Sequence, residues 1–522
     1  MAQWQEKLTR LYKMYEDGVD YQNQIGIRES IPTSINFFEG NQWPQSTENT
    51  KNLPRPVINI VKMICRSKKS AILSTPVKLN FKSYTQGVDT SKFSSFAESI
   101  LKELQQDKLD KLAIDDAIKK GSYFYHYYWD KDAIDLNGIT DGGVRCELID
   151  PLNIFFANPR LLDEQKQKWI LIASHLDIED ILSLCDSELT LSKHLLEADK
   201  NDNGTVTLLT RYFRINGEVY CERATKSFII SKPFMIAPHS DSAEKHIRAN
   251  LYPIVCGFYE KRNGSIYGIS EIEGLIPNQK AINFNVAMSL LNAQECAWGK
   301  YVALPNALKG QKISNVPGQV LIDHSGTGDG IKKMQEQSLS EVPMNITSTL
   351  IDLTKSTSGA SDIMSGDVQW ANMSGVAIAQ LQAQAQLPIE ELRSEFWEAK
   401  RRQGLVIAQF MKLYYYKKPF ITLVQENGKE KEVFDFFSSA DYENAIFDIS
   451  VEVTGGSKAS ASSVISMLDN CLSNGKISIE TYIKAYPDSS LTNKSEILKQ
   501  IQLEKNSELE RLKAELNELK TN

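Results

Sequence analysis

One uninterrupted helical segment sets the first constraint on this chain. Ser374 can cap a helix, and nothing breaks the pattern until Lys417, just before Pro419. At 1.5 Å per residue such a helix is roughly 65 Å long if straight, with bends expected at Pro388 and Gly404. Its second half carries Leu392, Phe396, Ala399, Val406, Phe410 and Leu413 at steps of three, four or seven, an apolar stripe along one face. A helix this long exceeds an ordinary globular domain. It must be a spoke in a large body or part of an assembly.

The chain of 522 residues has room for two to four domains around a sizeable core. It is 42% hydrophobic and 24% charged, which excludes a disordered chain. The seven cysteines (Cys65, Cys146, Cys185, Cys221, Cys256, Cys296, Cys471) include no CxxC pair, so they read as small core residues of a reducing compartment. The N-terminus, MAQWQEKLTRLYKMYEDG, is charged and amphipathic and lacks the apolar run of a secretory signal. No stretch of eighteen apolar residues occurs, so the expectation is a soluble protein, cytosolic where it is made.

Local patterns predict an α+β chain. Trp4, Leu8, Leu11 and Tyr15 mark a first helix ending near Gly18, and Pro56 is placed to open a second that stops before Pro76. Helical periodicity returns from Lys92 to Lys120, with Gly121 as its C-cap. Tyr123–Trp129 and Val144–Ile149 read as strands. Asn216-Gly217 and Asn427-Gly428 are the dipeptide that two-residue hairpins prefer, because their turn needs positive φ twice. Ile269–Trp298 is nearly uncharged and rich in Asn, Gln and Ala. After it come a glycine-rich tip, Ser325–Gly330, a helical segment over 345–355, and a loop from Ser356 to Gly366. Residues 457–522 are polar and helical, with Leu509, Leu512, Leu516 and Leu519 in heptad positions for two heptads only.

Sites for chemistry are weak throughout. Asp199–Gly204 matches half of an EF-hand loop, but the required twelfth-position Glu is Thr210. Gly326, Gly328 and Gly330 lack the Lys-Ser/Thr of a phosphate loop. The six histidines are scattered; His175 near Asp177 and Glu179 reads as a surface cluster, and Asp115-Asp116 as a solvated helix face. The run Tyr123–Trp129 could stack bases, but alternation on a buried strand explains it better. No cofactor, metal or catalytic residue is called for.

Several of these stretches fit one family together. They are Phe37-Phe-Glu-Gly-Asn-Gln-Trp43, Arg55-Pro-Val-Ile-Asn-Ile60 with Ser74-Thr-Pro-Val-Lys78, Gly121-Ser-Tyr-Phe-Tyr125 and Glu147-Leu-Ile-Asp-Pro-Leu-Asn-Ile154. Arg262-Asn-Gly-Ser-Ile-Tyr-Gly-Ile-Ser-Glu271, Pro277-Asn-Gln-Lys-Ala-Ile-Asn283 and Ser374-Gly-Val-Ala-Ile378 follow in order. Over roughly residues 30–420 the series resembles the portal (head–tail connector) proteins of tailed bacteriophages. The resemblance implies a portal-type fold: an N-terminal wing (1–265), a stem helix (266–298), a clip (299–341) and a return stem helix (342–356). A tunnel loop (357–373), a long wing helix with a wing hairpin (374–455) and a short helical crown (456–522) complete it.

It also implies a homo-oligomeric ring, normally of twelve subunits, at one capsid vertex of the virion, assembled in the host cytoplasm. Double-stranded DNA would pass through it, with Thr357, Ser358, Gly359, Ala360 and Ser361 in the channel loop. Gly326, Gly328 and Gly330 in the clip would dock partners: the terminase large subunit first, tail or head-completion adaptors later. Capsid and scaffolding proteins are the other partners implied, and no membrane is. The uncharged stem would touch neighbouring subunits on more than one side. Residues 199–204 have the look of an insertion without an assigned role.

Two other classes stay open: a metal-dependent enzyme acting on nucleic acid, and a coiled-coil scaffold assembling through residues 490–522. The net charge of −7 argues against a protein that grips DNA tightly, since grip scales with the phosphates neutralised. It suits a conduit, where adhesion to the wall would hinder transport.

Overall fold

The computed structural model describes residues 2–503 apart from 49, 52, 75–76, 135–141, 185–195, 237–248, 298–300, 306, 313, 315–319, 327–328, 334–341, 361–374, 427–428, 454–457, 487–496, 499 and 502. Helices are α1 (Ala2–Gln24), α2 (Ile27–Glu39), α3 (Ile60–Leu73), α4 (Thr90–Glu103), α5 (Gln106–Lys120), α6 (Ile178–Ser183), α7 (Glu271–Ala297), α8 (Val342–Thr357), α9 (Gly375–Tyr414), α10 (Lys458–Ser473) and α11 (Ile479–Ala485). Strands are β1 (Val77–Ser83), β2 (Ser122–Asp130), β3 (Gly143–Ile149), β4 (Ile154–Phe156), β5 (Trp169–Leu176), β6 (Val206–Ile215) and β7 (Glu218–Ala224). They continue with β8 (Ile229–Met235), β9 (Ile254–Phe258), β10 (Tyr301–Ala303), β11 (Ile331–Lys333), β12 (Lys418–Glu426), β13 (Lys429–Phe437) and β14 (Phe447–Val453). The mixture of helix and sheet is α+β. The chain divides into a larger unit (Met1–Ile31, Ser67–Glu271, Ile363–Asn522) and a smaller one (Pro32–Arg66, Ile272–Asp362).

The larger unit is built on a five-stranded antiparallel sheet, β4-β5-β6-β7-β8, and a three-stranded sheet, β3-β2-β9. Helix α1 lays Leu8, Leu11, Tyr12 and Tyr15 on the first of these, against Phe155, Leu171 and Leu209. The sequence places the end of α1 near Gly18, yet the helix runs on to Gln24. Gly18 is there for contact: a Cβ on it would lie 2.5 Å from the Phe155 ring. Helix α2 buries Ile27, Ile31 and Phe37 although Pro32 lies inside it.

The expected run from Lys92 to Lys120 is two helices, broken at Gln105, whose φ of 51° is left-handed. Gly121 is the predicted C-cap, with φ 83° and its N–H on Ala117 O. At Asn216-Gly217 both φ values are positive (52° and 84°), as the hairpin turn joining β6 to β7 requires. Strand register pairs Glu426 with Lys429 around the second Asn-Gly, whose two residues lie outside the described ones.

Strand β2 settles the aromatic run. Tyr123, Phe124, Tyr125 and Tyr127 are all buried, and Trp129 is stacked on Tyr414 at 4.4 Å, so the rings form core and not a platform for bases. A second aromatic cluster joins α4 to β13 and β14, with Phe93 on Phe447 (4.0 Å) and Phe96 on Phe437 (4.2 Å). Helix α9 crosses this unit with its apolar stripe inward, as Phe396, Val406 and Phe410 are buried. Gly404 serves close packing here, since a Cβ would meet Ile449 Cδ1 at 2.8 Å.

The same helix also buries polar groups that its pattern concealed. Lys400 pairs with Asp110, and Arg402 with Glu164. The Gln409 carboxamide holds the backbone of Asn250 and Leu251 at 2.9–3.1 Å. The heptad leucines from Leu509 onward lie outside the described residues.

Candidate functional site

The smaller unit holds three of the sequence motifs, and its geometry shows why they occur together. Helix α3 begins at Ile60, four residues after Pro56, so its first N–H groups need partners from elsewhere. Asn59 Oδ1 accepts from Lys62 N at 2.9 Å, a local cap. Gln279, on α7, supplies the rest: its Oε1 accepts from Ile60 N (3.0 Å) and Val61 N (3.3 Å), while its Nε2 donates to Ile58 O (2.7 Å). Asn283, one turn on, accepts from Ile58 N and donates to Gln42 Oε1 at 2.6 Å. Gln42 in turn donates to Phe37 O at 2.7 Å, and Trp43 Nε1 to Pro56 O at 2.9 Å. Gln42, Gln279 and Asn283 are all buried. The uncharged, amide-rich character of α7 therefore serves this chain's own 37–61 segment in part, a use that the sequence did not reveal.

Helix α8 is folded polar side in. Thr347 and Thr354 are buried, with hydroxyls donating back to Pro343 O (2.7 Å) and Leu350 O (2.6 Å). Asn278 of α7 donates to Thr354 Oγ1 at 3.1 Å, which fixes the two helices to each other. On the outer side Val342, Ile346 and Leu353 are 60, 45 and 55% exposed. Soluble helices ordinarily do the reverse. The smaller unit carries 15 of the 31 exposed large apolar side chains among the described residues, although it holds only about a quarter of the chain.

Between these helices lies the ribbon β10–β11, with Tyr301 opposite Lys333. The glycine-rich tip before β11 is organised by an acid. Asp323 accepts from Ser325 N (2.8 Å) and Gly330 N (2.9 Å), and the bonds from Ser325 foremost hold its carboxyl below the usual range. A Cβ on Gly330 would come within 2.3 Å of Asp323 Oδ1. Gly326 has a positive φ of 76°, and Gly328 lies outside the described residues. The chain's own carboxylate thus takes the Ser325 and Gly330 amides.

Of the five channel-loop candidates, Thr357 is the last residue of α8 and Ser358 donates to Lys355 O. Gly359, with φ 70°, ends the helix in the left-handed region, and Ala360 is buried. Ser361 lies outside the described residues. Helix α8 thus reaches two residues into the predicted loop.

The remaining motifs meet in the larger unit. Gly268 N donates to Ser122 Oγ at 2.7 Å, and Gly121 O accepts from Tyr259 N at 3.0 Å. Gly121 and Gly268 touch backbone to backbone: a Cβ on Gly268 would stand 2.2 Å from Gly121 O. Tyr267 OH donates to Ile154 O at 2.6 Å, tying in the motif that ends there. Lys68, Tyr259 and Glu271 form a closed triangle, with Lys68 Nζ 2.9 Å from the phenol and 2.7 Å from the carboxylate. None of these partnerships is visible in sequence spacing.

The weak chemical candidates are accounted for as structure. Asp199 accepts from Ser227 N and Oγ, leaving Asp199–Gly204 an ordinary turn closed by Asn201 N to Thr205 O. His175 contacts Thr207, and His126 bridges Glu147 (2.8 Å) and Tyr212 (2.7 Å). Asp115 and Asp116 are not merely solvated. Asp115 pairs with Lys69 and Lys119, whose hydrogen bonds outweigh burial and lower its carboxyl, whereas burial keeps Asp116 raised beside Lys120. Burial pushes the Cys146 and Cys221 thiols up to about 12, which removes them as nucleophiles near neutral pH. Among the described residues no three His, Cys, Asp or Glu gather around a possible metal position, and no helix is long and apolar enough to cross a membrane.

A family-model match, in keeping with the motif series, supports a portal protein of the tailed-phage kind. Residues 214–460, just under half the chain, match the family model of the phage P22-like portal protein. The matched stretch contains α7, the ribbon β10–β11, α8 and α9; the motifs at 37–60 and 121–154 precede it. No curated protein matches the chain.

Proposed function

We propose that this chain is the subunit of a closed ring, of twelve copies, that forms a channel at one capsid vertex. Double-stranded DNA passes through it during packaging and again on ejection. The ring docks the terminase large subunit, then tail or head-completion adaptors, and sits among capsid and scaffolding proteins. ATP hydrolysis belongs to the terminase, and the portal subunit is a passage and not an enzyme. The observation that carries the ring is in the smaller unit: α8 buries Thr347 and Thr354 and leaves Val342, Ile346 and Leu353 outside, and α7 exposes Phe284, Met288 and Leu290, as expected of a surface completed by other copies. Heterologous contacts between identical subunits close into rings when the rotation per subunit divides a full turn.

In this reading Thr357, Ser358, Gly359, Ala360 and Ser361 belong to the element nearest the moving DNA, and the tip of Gly326, Gly328 and Gly330 to the partner-docking end. The net charge of −7 keeps the wall from holding DNA fast. Electron micrographs of the purified protein test the proposal. Rings with a central hole are expected, whereas particles that remain monomeric at high concentration overturn it.

A further inference from the structure

The smaller unit carries a groove as well as the apolar stripe on α8. The groove, of about 640 Å³, is lined by Phe37, Gln42, Trp43, Lys280 and Phe284. Phe284 is 52% exposed, and Lys280 lies over the Phe37 ring at 5.7 Å. Asn283 and Gln42, bonded to each other, make its floor rigid and polar-satisfied.

The two features look in different directions. Asn278 marks the side of α7 that meets α8. At 100° per residue, Lys280 and Phe284 lie roughly 200–240° round that helix from Asn278. On α8, Val342, Ile346 and Leu353 follow one another at steps of four and seven, a single ridge set roughly 80–120° off the buried Thr354. Ridge and groove therefore cannot fill each other within one chain. The exposed charges are complementary: the groove presents Lys280, and Asp352 flanks the ridge, about 80° round α8 from Val342 and about 100° from Leu353.

We infer that the ridge of α8 docks into this groove on the next copy of the chain, with Asp352 facing Lys280 and Leu353 and Ile346 covering Phe284 and Trp43. The occupant is a second copy because one chain carries both halves of the contact, and a ridge-to-groove joint is head-to-tail by construction. The inference rests on the ring reading and adds which surfaces form the joint.

A mixing experiment decides it. Phe284→Asp disables the groove alone, and Leu353→Asp the ridge alone. Each variant should keep the circular dichroism of the parent and need at least about thirtyfold more protein to assemble. Mixed one to one, they should give heterodimers by mass photometry, since one intact ridge and one intact groove remain. Charge reversal supplies a gentler surface pair: Lys280→Glu or Asp352→Lys should weaken assembly, and the double variant should restore it. Normal assembly of Phe284→Asp overturns the contact, as does a mixture that stays monomeric or a double reversal without rescue. Parent protein that never forms rings removes the ring reading as well, a result separate from these.

Discussion

The two units handle polar side chains in opposite ways, and the contrast says what each is for. The larger unit draws charges inward and pairs them: Lys400 with Asp110, Arg402 with Glu164, Lys68 with Glu271. Glu164 is fully buried, and Lys400 and Asp110 are nearly so. Pairs of this kind add little net stability, but they are costly to break from one side. In the smaller unit the bonds that join α7 to α3 and α8 come from neutral amides and hydroxyls, and α8 turns apolar side chains outward. The apolar ridge left outside on α8 is the surface that the proposed ring would cover.

Substitutions can break this comparison, and the strongest should strike the larger unit. Gly268→Ala brings a methyl against the carbonyl of Gly121, where only backbone could yield, so a loss above about 4 kcal/mol is expected. Soluble yield and urea denaturation measure it. Arg402→Met leaves the Glu164 carboxylate buried without its partner and should cost about 3–5 kcal/mol by the same titration. In the smaller unit, Gln279→Leu orphans the N–H groups of Ile60 and Val61 together with Ile58 O. Here about 2–4 kcal/mol is expected, with faster hydrogen exchange at the start of α3 as the local signature.

Smaller effects sharpen the contrast. Ile346→Ser should change monomer stability by no more than about 0.5 kcal/mol while reducing assembly on size-exclusion chromatography. Equal damage to monomer and assembly would mean that the ridge belongs to the chain's own core. The least effect concerns pH. A hydrogen bond from His126 holds the Glu147 carboxyl below its ordinary value. The stabilisation is therefore present above the ordinary carboxylate range and lost as pH falls through the lowered one. Because Glu147 is half exposed, screening limits it to about 1 kcal/mol or less. Glu147→Gln should flatten the acid limb of a stability-against-pH curve; an unaltered limb removes that bond from the account.

Much of the local structure was legible because single residues dictate it. Gly121 ends α5, and Asn216-Gly217 turns its hairpin, since only residues tolerant of positive φ fit there. The long helix and the buried aromatic strand were equally readable from length and alternation. What escaped depends on distant partners. Gly18 and Gly404 look like helix ends or bends in sequence, but each makes room for a side chain from another element, Phe155 and Ile449. The break at Gln105 has no glycine to announce it. Gln279 and Asn283 look like interface polarity until the open start of α3 is set beside them. Thr347 and Thr354 defeat a pattern reading because each meets its hydrogen-bonding needs along its own helix and can be buried as if apolar.

The contact between Gly121 and Gly268 has a consequence for how this chain can vary. Most core neighbours can trade volume: one grows while the other shrinks. These two cannot, because each is already the smallest residue there is and the obstacle at each is the other's main chain. No substitution at one position can be rescued at the other. A library covering both should return the parental pair alone, as two separate fixed points with no correlated exchange between them.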